Sequence, residues 1–180
     1  RACQKAMPGV PMVATFDKGI NYVTLQWTNP AGNYTGVKVY HKLSSSSDWS
    51  SVDSTITSGA TTCKVSGLSA GNTYDFKVES YYSNITNVGT TSVATLVSVD
   101  TMPNAPSLSV SSRSSSAIVF SWSKPSGGIS GYIFYYKKNS ASSYTSVSLG
   151  SNVTSYNLSG LDQGTIYNAY LKAYYNTESN

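Results

Sequence analysis

The feature that most limits what this chain can fold into is an internal repeat. Pro11, Trp27, Pro30, Gly36, Trp49 and Val52 recur 95 residues on as Pro106, Trp122, Pro125, Gly131, Tyr144 and Val147. Leu68 and Tyr74 recur 93 residues on as Leu161 and Tyr167. Cys63-Lys64-Val65-Ser66-Gly67-Leu68 aligns without a gap to Tyr156-Asn157-Leu158-Ser159-Gly160-Leu161. In a chain of 180 residues, such a period means two tandem copies of one unit, each of a size that folds alone.

Each copy consists of short segments rich in Val, Ile, Thr, Tyr and Phe, broken by Gly, Pro, Asn and Ser clusters. Val23-Thr24-Leu25-Gln26-Trp27 and Tyr74-Asp75-Phe76-Lys77-Val78 are examples. No helical period is present, and the pattern predicts an all-β sandwich. Ser44 to Ser47 and Ser111 to Ser116 lie between strand patterns and read as loops. Hydrophobic residues at 39%, with 15 Tyr, suffice for packed cores although only 11% of residues are charged. No apolar run is long enough to predict a membrane span. The opening Arg-Ala-Cys-Gln-Lys-Ala-Met-Pro-Gly lacks a signal core, so any signal peptide is expected to be removed or to lie outside this sequence. Net charge is +4, divided as +1 up to Met102 and +3 beyond it. That bias is too mild and too scattered for a nucleic-acid binder.

The ordered set of Pro, Trp-x-x-Pro, Gly nine residues after the Trp, and Gly-Leu with Tyr six residues after the Leu resembles the fibronectin type III family. The resemblance implies two tandem immunoglobulin-like sandwiches with strands A to G. Residues 1–7 would be an N-terminal extension, 8–102 the first domain and 103–180 the second. Trp27 and Trp122 would fill the space between sheets. Leu68 with Tyr74, and Leu161 with Tyr167, fit a tyrosine corner. Alternation points Val37, Val39 and His41 inward in the first strand C, and Tyr132, Phe134 and Tyr136 in the second. Asn180 falls where the second F–G loop is expected, so the second copy is expected to lack strand G. Either that strand lies outside this sequence or another chain supplies it. Thr101 to Pro106, with two prolines, predicts a linker of limited hinge motion and an extended rod.

Little in the sequence suggests catalysis. His41 is the only histidine and takes the place of core-facing Tyr136. The acids are scattered over loops and outward strand positions, with no pair suited to acid–base work. The two cysteines have no metal-site spacing, and no nucleophile elbow or phosphate-cradling loop occurs. A non-enzymatic chain without cofactor or metal is expected.

Four N-glycosylation sequons begin at Asn33, Asn84, Asn152 and Asn157, all on positions expected to be accessible. Given the resemblance, Cys3 and Cys63 fall at the same pole of the first sandwich. A Cys3–Cys63 bridge is open to them, as is a buried Cys63 with Cys3 pairing elsewhere. The outward positions of the first C–F sheet, Lys38, Tyr40, Lys42, Asp75, Lys77, Glu79 and Tyr81, read as an ordinary solvated face. Their counterparts in the second copy include Ile133, Tyr135, Tyr170 and Tyr174, the composition of an interaction face. Cover by a strand G and glycans explains them equally.

These features point to an extracellular, secreted or cell-surface protein-interaction module of a receptor, adhesion or matrix glycoprotein. Two other readings stay open: a subunit of an extracellular filament completed by a donated strand, and a spacer of a secreted microbial carbohydrate-active enzyme. The partner would be a protein, with homotypic pairing through the open edge of the second copy as one option, and N-linked glycans as decoration.

Overall fold

Alternation decides the strands. In β2 (Tyr22–Thr28), Val23, Leu25 and Trp27 are buried while the residues between them face outward. In β6 (Thr73–Tyr81), Tyr74, Phe76, Val78 and Ser80 are buried in strict alternation. The structure, a computed structural model, describes residues 8–82 and 95–179. The chain divides into two compact units.

In the first unit, β1 (Met12–Lys18), β2 and β5 (Thr62–Ser66) form a three-stranded sheet in the order β1-β2-β5. The facing sheet runs β4-β3-β6-β7, with β3 at Gly36–Leu43, β4 at Ser50–Thr57 and β7 at Thr95–Asp100. The second unit repeats this. Its three-stranded sheet contains β8 (Ser107–Arg113), β9 (Ala117–Ser123) and β12 (Ser155–Ser159). Its four-stranded sheet runs β11-β10-β13-β14, with β10 at Gly131–Lys138, β11 at Thr145–Gly150, β13 at Tyr167–Tyr175 and β14 at Glu178–Ser179. All pairings are antiparallel among the described residues. These are two tandem all-β sandwiches, as the repeat implies.

Each unit has its own core. Trp27, at 3% exposure, packs with Val37, Val39, Val65, Phe76 and Val78. Trp122, at 6%, packs with Phe120, Tyr132, Phe134, Leu158 and Leu171. Each buried aliphatic or Phe side chain contributes roughly 1.5–3 kcal/mol. His41 is half-buried against Tyr74 and Phe76, matching Tyr136, which packs on the second core. In the second unit the Tyr167 hydroxyl accepts a hydrogen bond from the Asp162 N–H at 3.2 Å, which is the tyrosine corner.

The change of repeat offset from 95 to 93 has a physical location. In the second unit β10 and β11 pair without a slip. In the first, β3 and β4 slip twice, once between Val37 and Val39 and once between Val39 and Tyr40. The two additional residues of the first copy are taken up as bulges in β4, the edge strand of its sheet.

Two sequence expectations need correction. The stretch from Ser111 to Ser116 does not begin as a loop: β8 continues through Ser111 and Ser112 to Arg113, with a register shift between Val110 and Ser112. The Ser111 hydroxyl donates to the Val119 carbonyl of β9 at 3.1 Å, so this serine serves the strand. The chain also does not stop within the second F–G loop. Asn176, the only described non-glycine residue with positive φ (50°), turns the chain over two residues. β14 then pairs with β13 through Tyr174–Ser179 and Tyr175–Glu178, so the position of strand G holds a two-residue stub.

Candidate interaction face

The outer face of each four-stranded sheet carries an interlocked cluster. In the first unit, Lys77 Nζ lies 4.5 Å from the Tyr40 ring centroid and 5.2 Å from that of Trp49. Lys42 approaches Trp49 at 5.4 Å, and Lys38 approaches Tyr81 at 4.9 Å. Lys42 pairs with Asp75 at 3.1 Å, and Lys77 with Glu79 at 3.2 Å. Hydrogen bonds from the hydroxyls of Ser44 and Ser98, each 2.6 Å, together with Lys42, hold the Asp75 carboxyl below the usual carboxylate range. This is not the ordinary solvated face expected from its composition. Cations are held between rings and carboxylates.

The second unit rebuilds this cluster position for position. Tyr135 stands for Tyr40, Tyr144 for Trp49, Lys137 for Lys42 and Tyr170 for Lys77. Tyr135 and Tyr170 stack with centroids 4.6 Å apart and planes 13° from parallel. Tyr144 meets Tyr170 edge to face at 4.9 Å. Lys137 lies 5.1 Å from the Tyr144 ring and donates to the Ala141 carbonyl at 2.7 Å. Lys42 is tied to Ser46 in the same way at 2.8 Å. Tyr144 is 41% exposed and Tyr170 37%. Burial, with Tyr135 and then Tyr144 beside it, pushes the Tyr170 phenol up.

Of the residues predicted for this face, Tyr135 and Tyr170 are cross-strand partners in direct contact. Ile133 lies opposite Lys172, and Tyr174 lies opposite Gly131. Tyr144, the third ring of the cluster, was missed as a face residue. Its signal was present in the repeat, which equates it with Trp49.

Asn33, Asn152 and Asn157 are exposed. Asn152 lies in the turn between β11 and β12, and Asn157 faces outward on β12, between half-buried Tyr156 and buried Leu158. Cys63 lies on β5 opposite Leu25 and packs half-buried against the first core. Asn84 and Cys3 lie outside the described residues.

The family model for the fibronectin type III domain matches residues 9–95 and 103–180. The chain belongs to the fibronectin type III family. Neogenin of Mus musculus is 31% identical over 176 residues, a match covering 90% of this chain and 11% of that protein. Neogenin of Rattus norvegicus is 30% identical over 173 residues, covering 90% of this chain and 12% of that protein. The chain thus spans about an eighth of the relatives it matches or less. A two-domain type III segment of chicken tenascin superposes with a TM-score of 0.63 at 19% identity, covering 94% of each chain. That likeness is one of fold. No described helix is long and apolar enough to cross a membrane.

Proposed function

We propose that this tandem type III pair is an extracellular adhesion- or receptor-type module that binds another protein, without catalytic activity of its own. The observation carrying this reading is the match to neogenin along nearly the whole type III pair. The exposed aromatic cluster on the second unit supports it, because clustered aromatic side chains are enriched at protein interfaces. In this reading Asn33, Asn84, Asn152 and Asn157 are glycan acceptors and the setting is the cell surface or its surroundings. A Cys3–Cys63 disulfide would fit the same oxidising compartment.

The test is to secrete the full chain from a eukaryotic cell, label it and apply it to intact cells. Saturable binding that is abolished when the cells are first treated with trypsin is the expected result. Binding that never saturates, or that survives trypsin unchanged, overturns the reading. Intact mass before and after enzymatic deglycosylation tests the sequons separately.

A homotypic arrangement is a second reading, favoured by one observation. Among the described residues, β14 pairs only with Tyr174 and Tyr175 of β13. A strand from a second copy added to β13 beyond that point would pass beside Tyr170. Sedimentation should show association that Tyr170→Lys with Tyr174→Lys reduces. A monomer at every concentration overturns it.

A further inference from the structure

The two outer faces share their rings but not their charges. In the first unit Lys42 is answered by Asp75 on the neighbouring strand, and Lys77 by Glu79 two residues along its own strand. The second copy places Asn168 where Asp75 stands and Lys172 where Glu79 stands. The Asn168 amide is used locally, donating to the Asn139 side chain at 2.9 Å. Among the described residues, no acidic side chain lies on the outer face of the second sheet. Asp162 pairs with Lys138, and Glu178, opposite Tyr175, lies on the other face. Lys137 and Lys172 therefore flank the tyrosine cluster without a carboxylate on their face.

From this charge pattern we propose that the Tyr135–Tyr144–Tyr170 face binds an acidic, extended peptide segment of a partner protein. The proposal rests on the reading of the chain as a protein-binding module and names its face and chemistry. Lys172 is opposite Ile133, four residues from Lys137 along the strand. Four residues of extended chain span about 13 Å. A peptide with carboxylates at i and i+4 and an aromatic residue at i+2 reaches both lysines and sets its ring against the tyrosines. The tyrosine hydroxyls can also donate to carboxylate oxygens. A peptide fits better than a sugar, because Tyr135 and Tyr170 stack on each other and leave little flat ring surface for a pyranose.

The test uses the full, isotope-labelled chain in solution NMR. Three probes are titrated at low salt: a capped peptide containing Glu-Gly-Tyr-Gly-Glu, the same peptide with Lys for both Glu, and a heparin-derived hexasaccharide. The expected result is saturable shifts for the Glu peptide at residues 133–137, 144–148 and 168–174, with none in the first unit. Affinity should fall about tenfold in Lys137→Glu with Lys172→Glu, and also on raising the salt, since exposed charge pairs are weak and screened. Lys77→Glu, in the first unit, should leave binding unchanged. Absence of saturable shifts, equal response to both peptides, or a stronger response to the hexasaccharide at the same amides overturns the proposal. Cell binding that persists in the double variant overturns this face while the module reading stands. Peptide binding without cell binding does the reverse.

Discussion

Tyr170 lies flat on Tyr135, with centroids 4.6 Å apart, at the place where the first unit sets Lys77 over Tyr40 at 4.5 Å. One position thus supports either a cation on a ring or a ring on a ring. Only the second leaves the lysines of its face without a carboxylate among the described residues there.

Because the two cores are separate clusters, Trp122→Ala should remove the second unit and spare the first. Truncation of a buried Trp costs about 3–5 kcal/mol. Calorimetry should show one transition kept and the other moved far down or lost. Loss of both together would contradict two independent cores.

His41 predicts a pH dependence confined to the first unit. Burial lowers its pKa, and its Nδ1 is buried without a hydrogen-bond partner among the described residues. The unfolded chain then binds more protons between the two pKa values. Stability is full above the unfolded value near about 6.5 and falls as pH drops through the lower folded value. His41→Tyr, the residue type found at Tyr136, should flatten the melting temperature between about pH 7 and 5. Asp75 acts in a separate, more acid window. Its stabilising contribution is present above the unfolded carboxylate pKa and is lost as pH falls through the lowered folded one.

Two tyrosines of the second unit should respond oppositely to loss of their hydroxyls. Tyr132 is fully buried and its hydroxyl has no well-formed hydrogen bond among the described residues. Tyr132→Phe should be neutral or stabilising, because it removes an unsatisfied polar atom. Tyr167→Phe removes the bond to the Asp162 N–H and should cost about 1 kcal/mol. Urea melts of the two variants give the comparison.

Gly131 and Gly150 are cross-strand partners with different tolerances. A Cβ on Gly131 would lie 2.6 Å from the Leu149 carbonyl oxygen and 2.7 Å from the Tyr174 hydroxyl. A Cβ on Gly150 would meet nothing within 4 Å. Gly131→Ala should therefore destabilise by about 1–3 kcal/mol. Gly150→Ala should stay within about 0.5 kcal/mol of the parent. Equal effects would show that the crowding at Gly131 relaxes freely.

The core was legible because alternation and repetition agree: Val37, Val39, Phe76 and Val78 announce their side by spacing, and Phe134 and Leu171 repeat it. Strand ends were less legible. The β8 serines compete poorly as strand formers by composition, yet Ser109 and Ser111 both bond across to β9. The outer face was legible only in part because its rings come from two strands and from the residue just before a third. Periodicity shows which way Tyr170 points, but not that Tyr144, 26 residues earlier, will meet it. Nor does composition reveal that Lys42 and Lys77 are held between rings and acids.

The paired slips in β4 leave the facing of its core residues unchanged. Each bulge sets two residues against one of β3, so each takes up a single added residue and hands the strand back to its pairing beyond it. Val52 and Ile56 therefore both pack on the core, as Leu149 does in the copy without the added residues. β8 takes up one residue in the same way between Val110 and Ser112. Borders of these sandwiches can thus change length a residue at a time without disturbing what lies beneath, provided a bulge meets each change.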